Sequence, residues 1–192
     1  MDLLTQNSKL KKTSQLNGLR VFNFGIPAQS TCLWADKCKA YCYASKGAYI
    51  WGNVKPAFEK RLDVTKQDDF PQVMMAEITR RKADVVRIHD SGDFYSREYL
   101  HKWFKVMDSM PQVKFYAYSK SLPLFDGVTL PANFTLIKSE GGKRDDLIDA
   151  AHDRHARIFK TEAELLAAGY ANASENDLIA IGSNPKIGLL SH

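Results

Sequence analysis

The chain has 192 residues, a net charge of +5 and 44% apolar residues, the size and composition of one globular domain with its own core. No run approaches the roughly eighteen uninterrupted apolar residues of a membrane span, and the polar opening "MDLLTQNSKLKKTSQLNGLR" has no apolar stretch of the secretory kind. The modest positive excess permits a nucleic-acid or phosphorylated partner without requiring one, and no motif of the usual nucleic-acid-binding modules is present.

In chain order, residues 1–19 read as a loose N-terminal arm. "VFNFGIP" (21–27) alternates and stops at Pro27, as a strand does. A loop follows over 28–53, and then the helix "NVKPAFEKRLDVTK", with Pro56 in its first turn. "DFPQVMMAEITRRKA" is a second helix, with Asp69 as N-cap and Pro71 early. "DVVRIHD" is a strand, and "SREYLHKWFKVMDSM" a helix capped by Ser96. "VKFYAYSKS", "NFTLIKS" and "RHARIF" are further strands. The helix "TEAELLAAG" comes next, capped by Thr161 and stopped by Gly169. "DLIAIGS" and "KIGLLSH" are short apolar runs that read as strands.

Strands alternating with helices predict an α/β fold with a parallel sheet. The expectation is a single domain over 1–192, built as a partial or complete β/α (TIM-like) barrel of about six strands. A doubly wound sheet is the alternative. Strand parity favours the barrel. One face carries Phe22, Phe24, Val86, Ile88, Phe115, Ala117, Phe134, Leu136, Ala156 and Ile158. The other carries Asn23, Arg87, His89, Tyr116, Tyr118, Thr135, Ser139, His155 and Arg157, a polar face that implies a lumen holding a ligand. The competing reading is that Arg87 and Arg157 simply pair with carboxylates inside the protein.

All three cysteines, Cys32, Cys38 and Cys42, fall in the loop after the first strand. Three close thiolates repel one another and need a cation. Zinc would require a fourth ligand, with His89 or His155 as candidates. A 4Fe–4S cluster held by three cysteines would keep one iron open for chemistry. Lys37, Lys39 and Lys46 would offset its negative charge, and Trp34 and Trp51 would shield it. The expected cofactor is therefore a 4Fe–4S cluster, and residues 28–53 are expected to be its binding loop.

"VFNFGIPA", the C-x5-C-x3-C-Y-A loop, "RIHDSGDFYSREYLHKW", "FYAYSKS", "NFTLIKSEGGK", "RHARIF", "AAGYANAS" and the final "IGLLSH" together resemble the bacteriophage family known as gene product eighty-eight. The resemblance implies a phage-encoded protein in the cytoplasm of the infected bacterial host, with no biochemical activity to carry over. The placement of the cysteines also resembles radical S-adenosylmethionine enzymes. Those are β/α barrels with three cysteines after the first strand, binding S-adenosylmethionine at the open iron. Their common C-x3-C-x2-C spacing is absent here, and "HDSGDF" stands where their glycine-glycine-acid motif would follow the second strand.

Residues at C-terminal strand ends form the sites of β/α folds. "HDSGDF" offers His89, Asp90, Ser91 and Asp93, against the plainer reading of a turn that caps the next helix. "YSKS" offers Lys120. "IKSEGGK" offers Lys138, Ser139 and glycines that would let a backbone approach an anion. The expected catalytic and substrate-positioning residues are Arg87, His89, Asp90 and Arg157. The expected cofactor-binding residues are Ser91, Asp93, Tyr118, Lys120, Lys138 and Ser139. The function expected from this set is a radical S-adenosylmethionine-like iron–sulfur enzyme acting on an anionic small molecule, with an electron donor as partner. Alternatives are a non-redox 4Fe–4S hydro-lyase or desulfidase, and a non-enzymatic metal-binding module for a host protein or nucleic acid. No membrane partner is expected.

Overall fold

Seven strands form one parallel sheet: Val21–Phe24 (β1), Val85–Ile88 (β2), Lys114–Ser119 (β3), Phe134–Ser139 (β4), His155–Phe159 (β5), Ala171–Asn172 (β6) and Lys186–Leu190 (β7). Their order is β1-β2-β3-β4-β5-β7-β6. Five helices accompany them: Ser8–Asn17 (α1), Val54–Lys66 (α2), Phe70–Arg81 (α3), Arg97–Ser109 (α4) and Glu162–Ala167 (α5). This computed structural model describes residues 2–191 apart from Tyr43, Ser45 and Asn53, and only the backbone of Tyr41, Ala48 and Ile50. The sheet curls into a half-barrel. Among the described residues β1 and β6 remain its two edges, so the α/β fold stands but a closed barrel of about six strands does not form.

Most predicted elements fall where periodicity and caps put them. The Ser96 side chain accepts from Tyr99 N to start α4, and Thr161 and Glu164 form a capping box on α5. Three readings change. "DLIAIGS" is a 3-10 turn over Asp177–Ile181, begun by the Asn176 side chain accepting from Leu178 N. The seventh strand is instead the two-residue β6. The arm is not loose: residues 8–17 are α1, and Leu3, Leu4 and Leu10 are buried. Thr5 and Asn23 exchange backbone hydrogen bonds of 2.9 and 2.8 Å, which covers the outer edge of β1. Buried Glu77 accepts from Leu4 N at 3.2 Å and pairs with Arg80 and Arg81, which also hold Asp2.

Both faces of the sheet are packed. On the outer face α3 and α4 lay Phe70, Met74, Trp103 and Met107 against Phe24, Val86, Ile88 and Phe115. On the inner face Leu10 from α1 and Ala180 from the 3-10 turn cover Val21, Val85, Tyr116, Ile137, Ala156 and Ile187. The predicted ligand-holding lumen is thus filled by the chain itself. Arg87 and Tyr116 do face inward, but toward Asp177, which is fully buried. Asp177 accepts from Arg87 Nη1 at 3.0 Å and Tyr116 Oη at 2.5 Å, and pairs with Lys9 Nζ at 2.6 Å. Burial works to raise the Asp177 carboxyl, but Arg87, Lys9 and the hydrogen bonds outweigh it and hold the group below the ordinary carboxylate range.

Parity also inverts between β4 and β5. The register pairs Lys138 with His155 and Ser139 with Ala156. Paired residues in a parallel sheet share a face, so Ala156 lies inside with Ser139 while His155 and Arg157 lie outside. Arg157 is half-exposed and pairs with Glu140 at 2.6 Å. His155 packs edge-on to Tyr170 and meets its hydroxyl at 2.8 Å. Arg87 and Arg157 therefore never meet in one lumen.

Two substitutions separate these environments. Arg87→Ala strands a buried carboxylate and lowers the unfolding free energy by about 3 kcal/mol or more. Arg157→Ala breaks an exposed pair and costs less than about 1 kcal/mol. The stabilising share of Asp177 is fully present above its ordinary, unfolded-chain pKa and is lost as pH falls through its lower folded value. Denaturant melts of the two variants at neutral pH check the contrast, and equal losses would contradict it.

Candidate anion site at the strand ends

The C-terminal end of β2 turns sharply. His89, the residue after β2, has φ 66°, a left-handed conformation that non-glycine residues adopt infrequently. This breaks the alternation that would have aimed His89 with Arg87. The ring goes to the helix layer, with Nε2 2.9 Å from Tyr99 Oη and an edge-to-face contact on Phe94 at 4.6 Å. Burial lowers its pKa to about 3, so it stays neutral at physiological pH. The expected base in a lumen is a core residue.

Asp90 and Asp93 leave the same turn in different directions. Asp90 is buried, and burial raises its carboxyl against the opposing effect of Arg87, Asn23, Arg61 and Tyr49. Tyr49 Oη donates to it at 3.4 Å while the Tyr49 ring stacks on Phe58. Only a glycine fits beside this carboxylate, since a Cβ at Gly25 would lie 2.2 Å from Asp90 Oδ1. Ser91 acts through its backbone, its carbonyl accepting from Ile26 N at 3.0 Å. Gly92, at φ 82°, then swings the chain so that Asp93 points across to β3. Asp93 accepts from Ser119 Oγ at 2.7 Å, Lys120 N at 2.8 Å and Phe94 N at 2.8 Å. Burial raises its carboxyl, and these donors oppose the rise.

Asp93 thereby fixes the end of β3, and Lys120 emerges next to the end of β4. Lys120 Nζ donates to Ser139 Oγ at 2.6 Å, and both residues are half-buried. Lys138 goes the other way, to Asp153 at 2.6 Å and the Leu147 carbonyl at 3.0 Å. Tyr118 lies beneath Arg87, whose guanidinium carbon sits 5.0 Å from the ring centre. The glycine loop is closed from within: Gly141 and Gly142 each give their N–H to the Asp145 carboxylate at 2.9 Å. Of the expected cofactor-binding residues, the structure brings Asp93, Lys120 and Ser139 together and separates Ser91, Tyr118 and Lys138 from them.

The cysteines do not assemble a metal centre. Among the described residues no group of three or more His, Cys, Asp or Glu side chains is placed to hold a metal ion. This overturns the iron–sulfur enzyme, its non-redox alternative and the metal-binding module. Cys38 lies in a 3-10 turn over Lys37–Tyr41 that Cys42 closes. Each residue of such a turn advances a third of a revolution, so positions four apart diverge by roughly 120° instead of sharing a face. Burial, then Asp93, push the Cys32 thiol up to about 11, and Cys42 and Cys38 add to the rise. His89 and His155, the candidate fourth zinc ligands, are spoken for by Tyr99 and Tyr170. The binding loop was placed over 28–53, of which 43, 45 and 53 lie outside the described residues.

Sequence reasoning missed Asp177, Lys9 and Tyr116 as one unit. A strand arginine on an inward face demands a carboxylate, but nothing in the pattern says which of the chain's acids supplies it.

The chain belongs to the phage family Gene product 88, whose description matches residues 1–191. It is 31% identical over 94 residues to the Gene 88 protein of Mycobacterium phage L5, which covers 43% of this chain and 39% of that relative. The aligned part thus spans about two fifths of the relative's length. No solved structure matches. Among the described residues no helix is long and apolar enough to cross a membrane.

His89 supplies a pH signature. With its folded pKa near 3 and an ordinary value of about 6.5, the unfolded chain binds the extra proton between those limits. Stability contributed by the neutral ring is therefore intact above about pH 6.5 and declines as pH falls, by up to about 1.4 kcal/mol per pH unit. Asn tolerates the left-handed backbone, so His89→Asn should remove that slope while folding. Urea melts from pH 7 to pH 4 check it; an unchanged slope would contradict the burial argument.

Proposed function

We propose that this chain binds a small anionic ligand, in the cytoplasm of the infected host, at the C-terminal rim between β3 and β4. The observation that carries the reading is the 2.6 Å contact from Lys120 Nζ to Ser139 Oγ on adjacent strand ends. An ammonium has three donors, and one is used on Ser139. The Ser139 oxygen accepts there, so its own O–H proton is left to donate outward. Two N–H groups and one O–H therefore converge, a set that matches a carboxylate or phosphate oxygen. Asp93 supports the arrangement by holding Lys120 N and Ser119 Oγ, so Lys120 leaves the strand from a fixed point. The position agrees with the general habit of parallel α/β sheets, which bind ligands beyond the carboxyl ends of their strands.

Thermal shift with inorganic phosphate, pyrophosphate and citrate tests the reading. A ligand at about a hundredfold its Kd should stabilise the fold by about 2.7 kcal/mol. Lys120→Met should abolish the shift without changing the melt of the unliganded protein by more than about 1 kcal/mol, and Ser139→Ala should weaken binding roughly tenfold. A Lys120→Met protein that responds like the parent would refute the site, as would a parent that responds to none of the three anions.

A further inference from the structure

We infer that the surface carrying Leu33, Lys37, Lys39, Lys46, Trp51 and Lys55 is a contact face for single-stranded nucleic acid. From 32 to 55 the chain has four lysines against one acid, Asp36. All four lysines are exposed, and among the described residues none of them forms an ion pair. Exposed arginines elsewhere do find carboxylates: Arg20 takes Asp84 at 2.9 Å, Arg80 takes Asp2 at 2.7 Å and Arg144 takes Asp146 at 2.8 Å. Exposed Lys60, Lys105 and Lys114 also form no ion pair among the described residues, so what sets this segment apart is its excess of four lysines over one acid.

Two large apolar side chains belong to the same stretch of sequence. Trp51 is 61% exposed and Leu33 50%. An indole ring held in water offers a flat face on which an unpaired base stacks, whatever its identity. The segment is also seated well enough to present them. Ala35 pairs with Gly142 in an antiparallel bridge, Lys143 N donates to the Trp34 carbonyl at 2.8 Å, and Lys143 Nζ donates to the Leu33 carbonyl at 2.9 Å. Farther on, the Gly47–Ile50 turn rests on α2 through the stacking of Tyr49 on Phe58.

Lysine-rich surfaces favour a polyanion over a protein partner, because protein interfaces are depleted in lysine. Stacking favours single strands over duplex, whose bases are already stacked on one another. The face borders the Lys120–Ser139 pair, since the Trp34 carbonyl and Lys120 Cβ both flank Gly142, but Lys120→Met leaves the four lysines and Trp51 in place, so the two readings fail separately.

Fluorescence anisotropy with a labelled oligonucleotide of about a dozen bases, as single strand and as duplex, tests this. The single strand should bind more tightly at about 50 mM salt, and log K should fall against log salt with a slope of about −2 to −3 if three or four lysines meet phosphates. Lys37→Glu with Lys39→Glu should weaken binding at least tenfold and flatten the slope. Trp51→Ala should weaken binding while leaving the slope unchanged. Lys114→Glu, at the opposite ends of the strands, should do neither. The inference is overturned if no binding is seen at that salt, if duplex binds as well as single strand, or if Lys114→Glu weakens binding as much as the paired substitution. Tighter binding to vesicles of anionic phosphatidylglycerol than to the oligonucleotide would overturn it in favour of a membrane surface.

Discussion

A single buried carboxylate organises the inner face of this half-barrel. Asp177 has no exposed surface, and an ionised carboxylate so enclosed is tolerable only if cations and donors surround it. They come from three elements: Lys9 from α1, Arg87 from β2 and Tyr116 from β3. The Asp177 N–H adds a tie to Thr13 Oγ1 at 3.0 Å. The arrangement makes α1 and the 177–181 turn depend on one another: without α1 the carboxylate loses Lys9 and the inner face loses Leu10, and without the turn Arg87 lies buried with its partner gone. The apolar neighbours supply most of the burial energy, while the charges fix which segment sits where.

That plug decides where ligand chemistry is possible. A parallel sheet with an open, polar inner face would hold a ligand between its strands. Here the inner face is occupied by the chain's own helix and turn, and the outer face by α3 and α4. The turn after β2 leads to the carboxyl rim of the sheet. His89 is spent on the core, and Asp90 is sealed beneath Tyr49 and Phe58. Asp93 alone reaches sideways to β3, where it orders the backbone that carries Lys120. A surface depression of about 280 Å3, lined by Met107, Asp108, Pro111, Ala132 and Asn133, lies instead at the amino ends of β3 and β4.

The fold was largely legible because its signals are local. Ser96 and Thr161 mark helix starts by a mechanism confined to a few residues, and strands announced themselves by alternation. What was illegible depended on pairing across the chain. The Ser8–Asn17 segment is capped locally by Asn7 and Gly18, but its pattern is weakly amphipathic, and the partners of Leu10 and Lys9 lie far along the chain. The inversion of β5 depends on one residue of register against β4, and a shift of one residue exchanges the faces of a strand. From its own alternation β5 reads equally well either way, so His155 and Arg157 were placed in the wrong compartment. His89 failed for a different reason: one left-handed residue at a strand end cancels the period of two on which the inference rested.

The cysteines show the same limit in chemical form. Three in eleven positions require that the chain pass one region three times in quick succession, and they say nothing about where the sulfurs point. An α-helix would have carried Cys38 and Cys42, four apart, onto one face. The segment forms a 3-10 turn instead, and the same spacing separates them. Cys32 follows Thr31, whose hydroxyl donates to the Pro27 carbonyl at 2.7 Å and lies 3.3 Å from Asp93 N. Its thiol consequently shares the low-dielectric surroundings of a carboxylate, the environment least suited to a second negative charge. After burial, the group that raises the Cys32 pKa most is Asp93, the same carboxylate that accepts from Lys120 N and so fixes the backbone from which Lys120 leaves β3.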